Sequence, residues 1–218
     1  MKEFFKKYKH GLFFLYMFVY FPWFGHVEDE VTTEFHEIYM PMDDMIPFCE
    51  FFIVPYLLWF VYVAGFAIYF FFKDSGEFTR LCIFLGVGMT LFLIFSSIYP
   101  NGHYLRPDTF ARDNIFVDAV KALYGTDTAT NIMPSIHVYN SLAVATAIRY
   151  SKHLKKARIQ VSSFVLMILI IMSTVFLKQH SMWDVIGALI LGAIMWTLLY
   201  SPLKQLISDR SQLQRRTV

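Results

Sequence analysis

Charge is scarce in this sequence. Lys, Arg, Asp and Glu make up 17% of its 218 residues, whereas 56% are hydrophobic and 19% aromatic. A soluble domain carries about 25% charged residues, so the shortage argues for a chain embedded in lipid. The net charge of +2 is too small to point to nucleic acid. Cysteine is nearly absent. Cys49 and Cys82 fall in different apolar runs, which the topology below places near opposite membrane faces, so no disulfide is expected. There is no Gly-rich phosphate loop, no Cys–His metal spacing and no internal repeat. The expectation is one membrane-embedded domain over residues 1–218, with no soluble appendage and with no metal or cofactor.

What is present is a series of six apolar runs, at 12–24, 45–72, 81–98, 134–148, 159–177 and 184–200. Several approach or exceed the roughly 20 residues with which a helix crosses a bilayer. They are continuously apolar rather than alternating, which speaks against a barrel. The expected fold is all-α, an integral membrane six-helix bundle. The first run is short, but flanking lysines can snorkel, and no small-residue cleavage site follows it, so it reads as a span. Residues 28–44 are acidic, without Lys or Arg. Residues 73–80 read as a short polar turn containing Gly76, and 101–133 is the longest polar connection. Glu50 lies about one turn inside the second run, where an unpaired carboxylate is costly, so a structural partner is the preferred reading over catalysis.

Basic residues sort by side. Lys2, Lys6, Lys7 and Lys9, then Lys73 and Arg80, then the cluster at 149–158 and the tail from Lys204 put fifteen on one side. The other side holds four: Arg106, Arg112, Lys121 and Lys178. The positive-inside rule then makes both termini cytoplasmic. It puts the 101–133 connection and the 178–183 turn on the outer face, in the plasma membrane by expectation.

The chemistry gathers on that outer face, around 131–140, which reads Asn-Ile-Met-Pro-Ser-Ile-His-Val-Tyr-Asn. Pro134 suits a first helical turn. Ser135 and His137 then project from a helix N-terminus, whose free N–H groups and positive dipole end attract anions. The same stretch also fits a plain helix start with an incidental histidine. The fourth run goes in and the fifth comes back, returning the chain to this face at His180. Asp184 follows four residues later and, on a shared helical face, can hydrogen-bond to it. That pair alone also fits a structural cap of the sixth run. Arg106 joins from the third-to-fourth connection and can grip phosphate oxygens bidentately. A histidine oriented by an aspartate is a nucleophile or base, and a second histidine can protonate a leaving oxygen. The helix N-terminus adds stabilisation where negative charge builds up. Tyr139 and Asn140 read as inter-helix hydrogen bonds ahead of a substrate role.

In order and spacing these residues resemble the type 2 phosphatidic acid phosphatase superfamily, six-span lipid phosphatases and phosphotransferases. Its middle motif, Pro-Ser-Gly-His, is matched by Pro134-Ser135-Ile136-His137, with Ile in the Gly position. Its last motif, Ser-Arg, five residues, His, three residues, Asp, is matched at Ser173, His180 and Asp184, with Thr174 in the Arg position. Its first motif, Lys, six residues, Arg-Pro, is matched at Arg106-Pro107, with Tyr99 in the Lys position. The motif-bearing core covers about residues 99–187. Ile136 and Thr174 are similar to the inositol phosphorylceramide synthase branch, which transfers a head group.

The resemblance implies that His180 is the nucleophile forming a phosphohistidine, that Asp184 orients it, and that His137 protonates the leaving alkoxide. It implies that Arg106, Ser135 and backbone N–H groups near Ile136 hold the phosphate, with Thr174 at a further phosphate-binding position. Tyr99 and Thr174 replace two cations of the family pattern, which Lys178 or Arg112 would have to make good. Lys178 otherwise reads as an interface anchor, and Asn131 and His103 as structural loop residues near the site. The expected partners are a lipid phosphate substrate and membrane lipids. The expected function is hydrolysis of a lipid phosphate or diphosphate on the extracytoplasmic face. The alternatives are head-group transfer and a non-catalytic protein that binds lipid phosphate.

Overall fold

The structure is a computed structural model and describes residues 9–30 and 34–201. The basic residues Lys2, Lys6 and Lys7 and the tail from Lys204 lie outside the described residues. The chain is an all-helical bundle. Its helices are α1 (Met17–Glu30), α2 (Pro41–Met45), α3 (Ile53–Lys73), α4 (Ser75–Ile98), α5 (Ile115–Thr126), α6 (Ile136–Tyr150), α7 (Ala157–Phe176) and α8 (Met182–Leu199). A 3-10 helix, Lys9–Tyr16, runs into α1, and another, Glu50–Phe52, runs into α3. Two short strands, β1 (His36–Glu37) and β2 (Asn101–Gly102), pair in parallel.

Among the described residues four helical stretches are long and apolar enough to cross a membrane: Glu50–Lys73, Ser75–Ile98, Ala157–Phe176 and Met182–Leu199. They correspond to the expected second, third, fifth and sixth spans. The expected first span is the 3-10 helix followed by the 14 residues of α1. The expected fourth is α6, whose 15 residues rise only about 22 Å. Helix α6 is the centre of the bundle, packed against α3, α4, α7 and α8, and nine of its residues are buried. A helix enclosed by others meets little lipid, so it can carry Ser, Asn and Ala where its neighbours carry Phe and Leu. It approaches α4 closely at one point. The Tyr139 ring lies over Gly88, where a Cβ would stand 1.9 Å from a ring carbon, and the Tyr139 hydroxyl donates to the Phe84 carbonyl at 2.6 Å.

Several boundaries differ from expectation for local reasons. Pro47 holds Ile46 in an extended conformation, so 41–45 is a separate short helix and the span begins at Glu50. The Glu50 carboxylate is buried and accepts from Arg112 Nε at 2.9 Å and Asn114 Nδ2 at 3.1 Å, a structural pairing. The expected polar turn at 73–80 shrinks to Asp74 alone. Its side chain accepts from the Gly76 and Glu77 N–H groups and so starts α4 at once. The long connection 101–133 contains α5, capped by Asn114 and buried through Val117 and Val120. Pro134 stands before the cap of α6 rather than in its first turn, because Ser135 is the N-cap.

Candidate active site

Two helix starts meet at the site. Ser135 caps α6, its hydroxyl accepting from the Val138 N–H at 3.4 Å. The Ser135 N–H donates to the Asp184 carbonyl at 3.2 Å, which ties the beginning of α6 to the beginning of α8. His137 is the second residue of α6 and therefore lies within its first turn. At the other edge α7 ends, Lys178 takes a left-handed conformation with φ 53°, and the N–H groups of Gln179 and His180 both donate to the Thr174 carbonyl, at 2.9 and 3.0 Å. Ser181 then caps α8.

The His180–Asp184 pair is present, but not by the expected route. His180 precedes α8 and shares no helical face with Asp184. Asp184 instead completes a capping box with Ser181. Its Oδ2 accepts from the Ser181 N–H at 2.9 Å and lies 3.3 Å from His180 Nδ1. With Nδ1 turned to the carboxylate, Nε2 is the nitrogen of His180 left for chemistry. The His137 and His180 rings face edge to face-on with centroids 5.7 Å apart. Tyr56 and Trp59 of α3 pack on His137 at 4.6 and 4.4 Å.

Asp43, from α2, seals this corner. Its carboxylate accepts from the Ser181 hydroxyl at 2.6 Å and the Met182 N–H at 2.8 Å. Nothing in the sequence signalled it, since it lies 138 residues from Ser181. Arg106 lies behind the site and reaches it through Gln179, the residue before His180. It donates to the carbonyls of Tyr124 and Thr128 and to Gln179 Oε1, and its guanidinium stacks over Tyr124 at 4.4 Å. Burial lowers its pKa from the ordinary value, while Asp127 opposes the shift. Gln179 passes the contact on, donating to Asp127 Oδ2 at 3.1 Å. His103 braces the same loop. Its Nδ1 accepts from the Leu105 N–H at 3.1 Å, so Nε2 carries the proton and donates to the Gln179 carbonyl at 3.0 Å.

The remaining expected residues divide. Ile136 and Asn131 line the site cavity. Asn131, at φ 52°, also holds its loop by donating to the Val27 carbonyl and Glu28. Thr174 does not point to the cavity. Its hydroxyl donates to the Ile171 carbonyl at 2.8 Å, and its contribution is the carbonyl that turns the loop. Tyr99 stacks on His36 at 4.1 Å. Lys178 donates to the Asp43 carbonyl at 2.6 Å, and Arg112 is held by Glu50. The two candidate replacement cations are thus engaged elsewhere.

A cavity of about 1010 Å³ opens from the site. Phe24 of α1, Trp59, Phe60 and Val63 of α3, and Gly86 and Phe92 of α4 form part of its apolar wall. Its polar end carries Glu28, Asp127, Thr128, Thr130, Asn131 and Gln179 beside His137 and His180. No Lys or Arg lines it among the described residues. A separate grouping of Asp74, Glu77 and His153 has metal-ligand spacing, but it lies past the opposite end of α3. Its carboxylates already accept from Gly76, Glu77 and Lys152 N–H groups and the Ser151 hydroxyl.

Apolar helices of membrane-crossing length, two joined helix starts and a histidine pair braced by an aspartate define a membrane protein of phosphatase type. Residues 104–207 match the family model of the PAP2 superfamily. No curated protein and no solved structure matches the chain.

Proposed function

We propose that the protein is a membrane lipid phosphatase that cleaves a lipid phosphate or diphosphate through a phosphohistidine on His180. The observation that carries this reading is the His180–Asp184 pair facing His137 at the polar end of a cavity whose other walls are apolar. In the first step His180 Nε2 attacks phosphorus and the bond from phosphorus to the lipid oxygen breaks. The leaving alkoxide takes a proton from His137. In the second step water attacks the phosphohistidine, His137 takes up its proton, and inorganic phosphate leaves. Asp184 holds the imidazole and balances the charge that forms on it. The N–H groups at the start of α6 and the Arg106 side chain supply positive potential.

The six-span arrangement supports an outward-facing site. With the 3-10 segment and α1 as the first span and α6 as the fourth, both termini are cytoplasmic. The basic residues then fall fifteen inside and four outside. Ile136 and Thr174 favour a second reading, head-group transfer, in which a lipid alcohol rather than water takes the phosphoryl group from His180.

Phosphate release by the purified protein in detergent tests the reading, with phosphatidic acid and a polyprenyl diphosphate as substrates. Chelator-resistant release that disappears in a folded His180→Ala variant is the expected result. Product formation only when a lipid alcohol and a head-group donor are added would establish transfer instead. Silence in both assays would leave a non-catalytic binder of lipid phosphate.

A further inference from the structure

The polar side chains of α6 fall into two groups. Tyr139 donates to the Phe84 carbonyl and Ser141 to the His137 carbonyl, each at 2.6 Å. His137 Nδ1 and Asn140 Oδ1, by contrast, are buried with no hydrogen-bond partner. Asn140 is 2% exposed. It follows His137 by three positions, which places both on one helical face, and both line the cavity. Trp59 lines it too, packs on His137, and has a buried indole N–H without a partner. An orphaned acceptor and an orphaned donor thus belong to two side chains that line one cavity, beside the apolar Phe60 and Val63. Buried polar groups are rarely left unpaired in folded proteins, so an orphaned donor and acceptor in a cavity wall mark where a ligand's polar group belongs.

We propose that Asn140 and the Trp59 N–H bind the polar linkage group of the lipid substrate, the hydroxyl, amide or ester between its phosphate-bearing carbon and its hydrocarbon chain. The proposal rests on the lipid phosphatase reading and adds a specificity contact to it. Three residues along a helix span about 4.5 Å, which matches the step from a phosphate ester oxygen near His137 to a group one or two carbons further along the lipid. Beyond that point the cavity wall is apolar and suits the chain. An alkyl phosphate, which has no linkage group, would leave both orphans unpaired.

The test compares three substrates with the full-length protein in detergent: lysophosphatidic acid, a long-chain-base phosphate and dodecyl phosphate. Asn140→Leu keeps the approximate size and removes the hydrogen bond. It is expected to raise KM about tenfold for the linkage-bearing substrates, the effect of one lost hydrogen bond, with kcat nearly unchanged. Dodecyl phosphate is expected to be cleaved as by the wild type. The larger loss, on the glycerol or on the amino-alcohol lipid, identifies which source the site serves. An equal loss on all three substrates, or none on any, overturns the proposal. If Asn140→Leu does not fold, Trp59→Phe removes the donor alone and reads the same ratio. A binding arm runs in the His180→Ala background, where the melting temperature is followed with each lipid. Stabilisation by lysophosphatidic acid that Asn140→Leu abolishes, while dodecyl phosphate still stabilises, supports the contact even if the wild type releases no phosphate and the catalytic reading fails. Normal release with a substrate-blind Asn140→Leu sinks the contact and leaves the catalytic reading standing.

Discussion

His103 is a buried ring with both nitrogens engaged, one accepting from the Leu105 N–H and the other donating to the Gln179 carbonyl, next to His180. Burial pushes its pKa down to about 4, against an ordinary value of 6.5. A proton on Nδ1 would replace the acceptor that Leu105 needs with a donor. The unfolded chain therefore binds this proton first. The stability due to the neutral ring is complete above about pH 6.5 and is lost as pH falls through about 4. The melting temperature in detergent is expected to drop across that window, and to drop less in His103→Gln, which keeps a neutral side chain. Equal slopes for the two proteins would remove His103 as the cause. At this scale His137, His180, Asp184 and Arg106 were legible, because their spacing falls within short motifs. Asp43, Gln179 and Asp127 were not, because each reaches the site through a loop closure that local spacing does not determine. Thr174 shows the converse: its position in the motif was legible, but the use of its carbonyl rather than its hydroxyl depends on how α7 ends.

Gly86 and Gly88 of α4 have opposite surroundings. At Gly88 an added Cβ would collide with the Tyr139 ring at 1.9 Å, whereas at Gly86 it would meet nothing within 4 Å. Gly88→Ala must push α6 away from α4 and is expected to cost about 1–3 kcal/mol. It should also lower phosphate release, because Tyr139 lies two residues from His137. Gly86→Ala relieves a helix interior of glycine and is expected to gain about 0.5–1 kcal/mol. Thermal melting of the two variants in one detergent decides it. A similar loss in both would mean that α4 does not approach α6 through Gly88. The existence of the long helices was legible from run length and apolarity, but their starts were misplaced by up to several residues. The missing information was local and present: Asp74, Asn114 and Ser181 are each the cap from which α4, α5 and α8 begin. Helix α5 was overlooked because its buried residues, Val117 and Val120, sit in a stretch whose average polarity resembles a loop.

Across the whole molecule, cross-chain hydrogen bonds sort the loops into two ends. At one end Asn131 reaches Val27 and Glu28, His103 reaches Gln179, and Lys178 reaches Asp43. At the other end Glu77 holds Ser151 and Lys152, and Asp74 meets His153. The end remote from the site carries Lys73, Arg80, Arg149, Lys152, Lys155, Lys156 and Arg158, and in the proposed topology, which rests on the positive-inside rule, it faces the cytoplasm. This charge bias predicts which side of a cell can reach each end. In a background with Cys49 and Cys82 replaced by serine, Asp118→Cys, exposed on α5, is expected to react with a membrane-impermeant maleimide in intact cells. Lys155→Cys, exposed in the loop before α7, is expected to react only after permeabilisation. The reverse pattern would put His137 and His180 on the cytoplasmic side. On the proposed lipid phosphatase reading, outer-leaflet substrates would then be out of reach, and the substrate would come from the inner leaflet.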